Sequence, residues 1–580
     1  MLTRLTIRNF KLFEEVEIPL DNGVVFIGPN NSGKTSALQA LSLWHLGVQK
    51  WAQRRDPENR EKIPKKRPGI TINRLDLIPL PVGEIDLLWR ERKVRTTTEW
   101  VHLELIVAGI SGGESWECGL EFDYANADAM YCRPLRLDDQ AQRRMPIPPQ
   151  APATGLALLP SMSGLAAEEA LIREGRINVL IGQGQTAEVL RNLCYLVYQG
   201  GSADTDTGSP DWRRLQQDMR QLFGVELQAP RYLAARGTIA MAYREAGSNK
   251  ALDLPSCGRG MQQVLLLLAY LYHNPPGTVR LLDEPDAHLE ILRQRQIYDR
   301  LTQVADARGS QVIAASHSEV LMNKAAERNT LVAFIGRPHP MTPQGSSQLI
   351  KALRDIGFEY YAMAEAEGWM LYLESESDLR ILQAFAERLE HPASQRLAKP
   401  PVKFLGTNLP QAARNHFHGL REAKPDLVGL LLLDRIDKEL ASSDVFREMM
   451  WQKREMKNYL CASPETLLAF AESGPPDDLF ARVEQQQRRD TMEQAIGAMV
   501  EALATVGKPS PFSSDIKASD EFLEPLFKNY AKAHELPPAC SLKHADYYRL
   551  VGFIPQAALH PEIIEKLDAI EATASRANPG

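Results

Sequence analysis

The stretch that runs Gly28, Pro29, Asn30, Asn31, Ser32, Gly33, Lys34, Thr35 and Ser36 carries the spacing G-x4-G-K-[ST], and the chemistry that needs this spacing is phosphate binding. Glycines let successive backbone N–H groups converge on phosphate oxygens, and a helix that starts near Lys34 aims its positive end at the same point. Lys34 is then the cation for the β- and γ-phosphates, and Thr35 a Mg²⁺ ligand. Farther along, the apolar run Val279–Leu282 ends in Asp283 and Glu284. Asp283 is placed to hold Mg²⁺ through water, and Glu284 to orient or activate the attacking water. A second apolar run, Val312–Ala315, ends in Ser316, His317 and Ser318. A lone loop histidine is more often structural, but after an acidic strand end and a helix His317 reads as a γ-phosphate contact. The catalytic candidates are Glu284, His317 and Lys34, and the cofactors are ATP and Mg²⁺.

A second set of carboxylates follows. Leu371–Leu373 leads into Glu374, Ser375, Glu376, Ser377 and Asp378, and Val428–Leu433 leads into Asp434, Arg435, Ile436 and Asp437. Carboxylates at two strand ends in a βα pattern are how a Mg²⁺ phosphoryl-transfer site is assembled, so Glu374, Asp378, Asp434 and Asp437 join Thr35 and Asp283 as metal-ligand candidates. The plain alternative is carboxylates at helix N-termini, favoured by the dipole.

These residues need an α/β scaffold that presents strand ends and helix starts. Residues 2–27 alternate as strands, with Asn22-Gly23 as a turn signal and Val24–Ile27 as a buried strand. Trp100–Val107 and Ser115–Tyr124, separated by Gly109–Gly113, predict a hairpin, and 160–200 and Asp211–Leu222 read as helical. Residues 201–210 are composed like a loop, and 256–335 alternate strand and helix. The Pro/Gly/Ser-rich stretch 336–348 reads as a linker. The expected layout is therefore 1–335 as one domain with an insertion at about 45–250, then 349–465 as a parallel βα domain, then 466–580 as its helical, polar continuation, with breaks at Gly474-Pro-Pro and Leu536-Pro-Pro. A length of 580 residues suits roughly three to four domain-sized units. Net charge is −7 and composition is ordinary for a soluble protein, so any nucleic-acid contact rests on a local patch. Arg54–Arg67 and Arg90–Arg95 are the candidates, and a solvated face is the equal alternative. The six cysteines are scattered without metal spacing, which suits reduced cytoplasmic thiols. No signal peptide or membrane span is expected.

The order of motifs, with Ser256-Cys-Gly258-Arg-Gly-Met-Gln-Gln263 just before Asp283, resembles the ABC ATPase heads, and Leu5-Thr-Ile-Arg-Asn-Phe10-Lys looks like the first strand of their RecF/SMC-like branch. The resemblance implies that Ser256 and Gly258 are a signature segment, which touches ATP held by the opposite protomer beside Gly33–Thr35, so that the chain is at least a dimer. The plain alternative for Ser256 is a helix cap. Asp286 and His288 fall in the D-loop position, with an interface role, and no Q-loop glutamine is assigned. Residues 349–580 look like the Toprim half of OLD-family (overcoming-lysogenisation-defect) nucleases, on Glu374-x3-Asp378, Asp434 after an apolar strand, Lys453-Arg-Glu-Met-Lys-Asn-Tyr459-Leu, and Ser541-Leu-Lys543-His-Ala-Asp-Tyr-Tyr548 as a segment supplying a lysine.

Three departures stand out. Ser375 replaces the usual glycine, Ile436 stands where a second carboxylate belongs, and Lys457 where relatives carry glutamate. The resemblance implies two functions. One is an ATP-regulated, metal-dependent DNA endonuclease in bacterial defence against phage. The other is an ATPase sensor and scaffold whose inactive Toprim-like half holds or releases a separate effector. A transporter ATPase is disfavoured by the acidic C-terminal module.

Overall fold

The computed structural model describes residues 1–55, 69–78, 80, 82–137, 144–162, 164–200, 208–326, 330–334, 337–341, 357–441, 443–473, 481–533 and 542–579. Most of Arg54–Arg67, residues 336 and 342–348 of the expected linker, the loop 201–207, the breaks at 474–476 and 536–538, and Ser541 lie outside them; the described part of that linker holds a strand, His339–Met341. The chain divides into two compact units, Met1–Ile350 and Lys351–Gly580.

In the first unit a six-stranded sheet is built around Gly23–Ile27, whose neighbours are Val312–Ser316 and Thr330–Ala333, both parallel to it. Val279–Asp283 and Leu156–Leu159 continue the sheet on one side, and His339–Met341 closes the other. Parallel strands covered on both faces read as continuous apolar runs. Val24, Val25, Phe26 and Ile27 are at most 1% exposed, and each such side chain contributes about 1.5–3 kcal/mol by burial. His339–Met341 runs antiparallel, but the other five strands run the same way, so Ile27, Asp283 and Ser316 emerge on one edge, where a ligand site forms at strand C-termini.

A second, antiparallel six-stranded sheet holds Leu2–Phe10 and Phe13–Pro19 together with Leu103–Ser111, Glu114–Asn126, Ala129–Pro134 and Ile70–Asn73. The predicted hairpin turns at Gly112 and Gly113, with φ of 60° and 84°, the left-handed pair a two-residue turn requires. This changes the expected layout. Much of 45–250 is not an insertion, since its strands complete both sheets, and Leu5 pairs with Val107. Local alternation reveals which face of a strand is buried but not which distant strand lies beside it. Among the described residues of 160–200, Glu174–Gly182 and Leu190–Gln199 are α-helical.

The second unit has a four-stranded parallel sheet in the order Val402–Phe404, Trp369–Leu373, Val428–Leu433, Phe446–Met450. Its core continues without a break from Leu371, Leu430 and Leu432 into Leu467, Met492, Phe522 and Leu567, on the helices Pro464–Glu472, Ala481–Thr505 and Pro561–Ser575 and the helical turn Ala518–Leu523. Among the described residues no helix is long and apolar enough to cross a membrane.

Candidate functional site

In the first unit the buried strand Gly23–Ile27 delivers the chain into the glycine loop, and the helix Lys34–Arg55 leaves it. Gly33 has φ of 102°, and a Cβ there would lie 2.7 Å from the Phe13 ring. At Gly28 a Cβ would lie 2.6 Å from the Phe334 carbonyl oxygen. Asn30, Asn31 and Thr35 are exposed, and Ser32 and Ser36 half-buried. The Ser32 hydroxyl oxygen is buried and has no hydrogen-bond partner among the described residues. Lys34 is 5% exposed and donates to the carbonyls of Gly28, at 2.9 Å, and Pro29, at 2.7 Å. Burial lowers its pKa, against the pull of Glu284, Asp283 and Asp286.

Thr35 and Asp283, 248 residues apart, meet here, with the hydroxyl 3.1 and 3.0 Å from the two carboxylate oxygens. Burial raises the Asp283 pKa, and the Thr35 hydrogen bond opposes the rise. Glu284 follows with φ of 47°, a left-handed backbone that a non-glycine residue adopts at a cost of about 1–3 kcal/mol. Its N–H is held by the Ala315 carbonyl at 2.8 Å, and its carboxylate lies 3.4 Å from Nδ1 of His317. A hydroxyl, a carboxylate, a glycine-loop cradle with an unused buried hydroxyl, and a second acid against a histidine fit a Mg²⁺–nucleotide.

Sequence reasoning missed one member of this site. Asp286 was expected on an interface, yet it is 4% exposed. It accepts a hydrogen bond from the fully buried Ser316 hydroxyl at 2.8 Å, and Ser316 in turn accepts from the Ser318 N–H at 2.9 Å. Asp286 therefore ties the Glu284 loop to the His317 loop. Ser256 and Gly258 are both exposed and line a groove of about 520 Å³ with Tyr243, His288 and Arg293. Gly258, not Ser256, is the N-cap of the helix Arg259–His273. Of the basic stretch at 90–95, Arg90 pairs with Glu14 at 2.6 Å, Arg92 with Glu84 and Asp86, and Arg95 stacks on Trp100. Within this stretch Arg90 and Arg92 are thus paired with carboxylates of the same chain.

In the second unit Glu374 and Asp434 follow neighbouring parallel strands that pair Leu371 with Leu430. Asp378 sits in the first turn of the helix Glu376–Arg388. Its Oδ2 accepts from the Ser375 N–H at 3.0 Å and the Ser375 hydroxyl at 2.9 Å. Its Oδ1 accepts from the Lys457 ammonium. Asp434 accepts from the Met456 N–H at 3.0 Å, and burial pushes its pKa up to about 7. Burial alone would lower the Lys457 pKa, but Asp378 and Asp434 outweigh it and hold the ammonium well above the usual lysine range. Glu374 is half-buried, and its pKa is raised by burial and by Asp378.

The expected ligand set is altered in three ways. Asp437 is exposed, and Lys457 instead bonds Asp378, with the charges of Asp434 and Glu455 also acting on it. Lys543 is exposed, and the lysines acting on Glu374 are Lys457 and Lys517. Most of all, Lys457 is 6% exposed and its ammonium is bonded to Asp378, with the charge of Asp434 also acting on it, so these residues as they stand do not fit a divalent cation.

Residues 1–46 match the family model described as "AAA ATPase domain". Residues 167–323 match the model described as "AAA domain, putative AbiEii toxin, Type IV TA system". No curated protein matches the chain. Among solved structures the chain is similar to the SMC head domain from Thermotoga maritima, at 15% identity and a TM-score of 0.32, over 59% of this chain and 99% of that one. It is also similar to the Smc head domain with an extended coiled coil, bound to the C-terminal domain of ScpA and derived from Pyrococcus furiosus. That likeness has 12% identity and a TM-score of 0.36, over 61% of this chain and 99% of that one. The first unit is an AAA-family ATPase domain on an α/β fold.

Proposed function

We propose that the chain is an ABC-type ATPase of the RecF/SMC-like branch joined to a Toprim-like unit, as in the OLD family, and that it works in the cytoplasm as an ATP-driven sensor and scaffold in defence against phage. The observation that carries the ATPase reading is the Thr35 hydroxyl resting on the Asp283 carboxylate, with Glu284 and His317 beside it. Gly28–Ser36 receives the phosphates, and Lys34 leaves its two carbonyls to neutralise them. Thr35 and Asp283 hold Mg²⁺, Glu284 orients the water, and His317 reads the γ-phosphate. Ser256 and Gly258, exposed beside His288, meet the nucleotide of a second copy, so the working form is at least a dimer. The family description over 167–323, which names a toxin of a toxin–antitoxin system, supports the defence role. The Lys457–Asp378 pair at the heart of the second unit supports a unit that holds or releases an effector rather than cutting. The competing reading, an ATP-regulated endonuclease, has Glu374 and Asp434 at adjacent strand ends in its favour.

One assay separates the two. Purified protein is incubated with plasmid and phage DNA, with Mg²⁺ or Mn²⁺ and with or without ATP. The sensor reading expects phosphate release without DNA cleavage. Nicking that disappears in Glu374→Ala would establish the nuclease and end the scaffold reading, and a chain that releases no phosphate under any of these conditions would end both.

A further inference from the structure

We infer that Lys457 is a built-in cation: its ammonium is bonded to the buried Asp378 carboxylate and offsets the negative charge that Asp378, Asp434 and Glu374 would offer a divalent metal, and removing it opens a divalent-cation site. The inference deepens the non-cutting reading above and rests on it. Both oxygens of Asp378 are already used, Oδ2 by Ser375 and Oδ1 by Lys457. Magnesium needs its oxygens at about 2.0–2.1 Å in octahedral array. Each carboxylate oxygen keeps a second lone pair, but the ammonium bonded to Asp378 Oδ1 repels a divalent cation drawn to the same buried carboxylate and cancels part of the charge that would attract it.

Lys457 is also not a side chain that can swing away. It lies in the helical turn Met456–Tyr459, and that turn is pinned on both sides. The Met456 N–H donates to Asp434 at 3.0 Å, while the Asn458 amide donates to the carbonyls of Ser513 and Ile516 at 3.1 and 3.0 Å. Glu455, just before the turn, accepts from the Ser519 N–H and hydroxyl at 2.5 and 2.9 Å, and Tyr459 bonds Glu562. The backbone on either side of the lysine is therefore fixed, and its ammonium has Asp378 as a bonded partner with both groups buried. A buried pair of this kind is strongly destabilised when one member is removed, because the other is left charged and alone. A divalent cation bound by Asp378, Asp434 and Glu374 would restore the balance with oxygen ligands of the right kind.

The experiment counts Mn²⁺ bound per full-length chain, without nucleotide, from the loss of the free-ion EPR signal. Lys457→Met should bind one Mn²⁺ more than the unaltered chain, and the extra ion should vanish in Lys457→Met with Asp434→Asn. Mn²⁺ should raise the melting temperature of Lys457→Met more than that of the parent. Ile436→Asp alone should add no ion, because the ammonium is still in place. A gain in Ile436→Asp, or no gain in a Lys457→Met that melts cooperatively, overturns the inference. If Lys457→Met does not fold, the unaltered chain still decides. Asp378→Asn and Asp434→Asn in the parental background should leave the count unchanged, and a loss of one ion in either overturns it. Plasmid nicking by the parent would end the non-cutting reading by itself, whereas the Mn²⁺ count alone decides whether Lys457 keeps a divalent cation out.

Discussion

Replacing Asp286 with alanine should slow ATP turnover while leaving the affinity for ATP close to parental. The carboxylate accepts from a Ser316 hydroxyl that has no exposure at all, 2.8 Å away. Removing the acceptor strands that hydroxyl, at about 1–3 kcal/mol. The penalty falls on the buried side-chain tie between the Glu284 loop and the His317 loop, whose acid and imidazole are half-exposed and 3.4 Å apart. Every 1.36 kcal/mol is tenfold in rate, so kcat should fall roughly 5- to 150-fold if the lost tie is felt fully in the transition state. Phosphate release over a range of ATP concentrations at fixed Mg²⁺ gives kcat and KM separately, and Lys34 and Thr35, untouched by the change, keep KM. Asp286→Asn retains an oxygen acceptor and should keep kcat within about threefold of the parent. An unchanged kcat in Asp286→Ala, a loss confined to KM, or an asparagine variant as slow as the alanine one would each refute the positioning role.

Lys34→Ala should abolish nucleotide binding, read by fluorescent ATP-analogue titration, because the loop loses its only buried ammonium described there. Glu284→Gln should bind ATP but not turn it over, and should shift the chain to dimers in light scattering; a monomer at micromolar concentration with ATP would contradict the face-to-face assembly. Gly33→Ala should impair folding or binding, since its Cβ would meet Phe13 at 2.7 Å with φ at 102°, and parental activity would show that the loop has another shape. The second unit should lose stability as pH rises from about 4 to 7. Asp434 is raised from 3.8 to about 7, so between these values the folded form holds a proton that the unfolded form has released. Thermal melts of Asp434→Asn should lack that slope, and an identical pH profile would show that Asp434 is not its source.

The nucleotide loop was legible because its strand, turn and helix start are contiguous, and each residue type has one physical reason to be there. Asp283, Glu284 and His317 were legible as the ends of apolar runs, since parallel strands bring their C-terminal ends to one edge. Asp286 was given only an interface role because its partner, Ser316, ends the neighbouring strand 30 residues later, and a D-loop position says nothing of that hydroxyl. Lys457 was noticed as a departure, but its reach to Asp378, 79 residues earlier, depends on the folded path of the turn Met456–Tyr459. The pairing of Leu2–Phe10 with Leu103–Ser111 was hidden for the same reason, because alternation records a face and not a neighbour.

The central sheet also sets a clock for biosynthesis. Gly23–Ile27, almost wholly apolar, has its two sheet neighbours at Val312–Ser316 and Thr330–Ala333, and Leu2 exchanges hydrogen bonds with Gln311, 309 residues downstream. At about 5–20 residues per second a ribosome takes roughly 15 to 60 s to cover that distance. For all that time the emerging chain carries an adhesive strand with both edges bare, the kind of segment that invites association between neighbouring nascent chains. Slower initiation or a holding chaperone should therefore raise the yield of folded protein more than any stabilising change in the finished molecule, and fragments that end before Val312 should collect as aggregates.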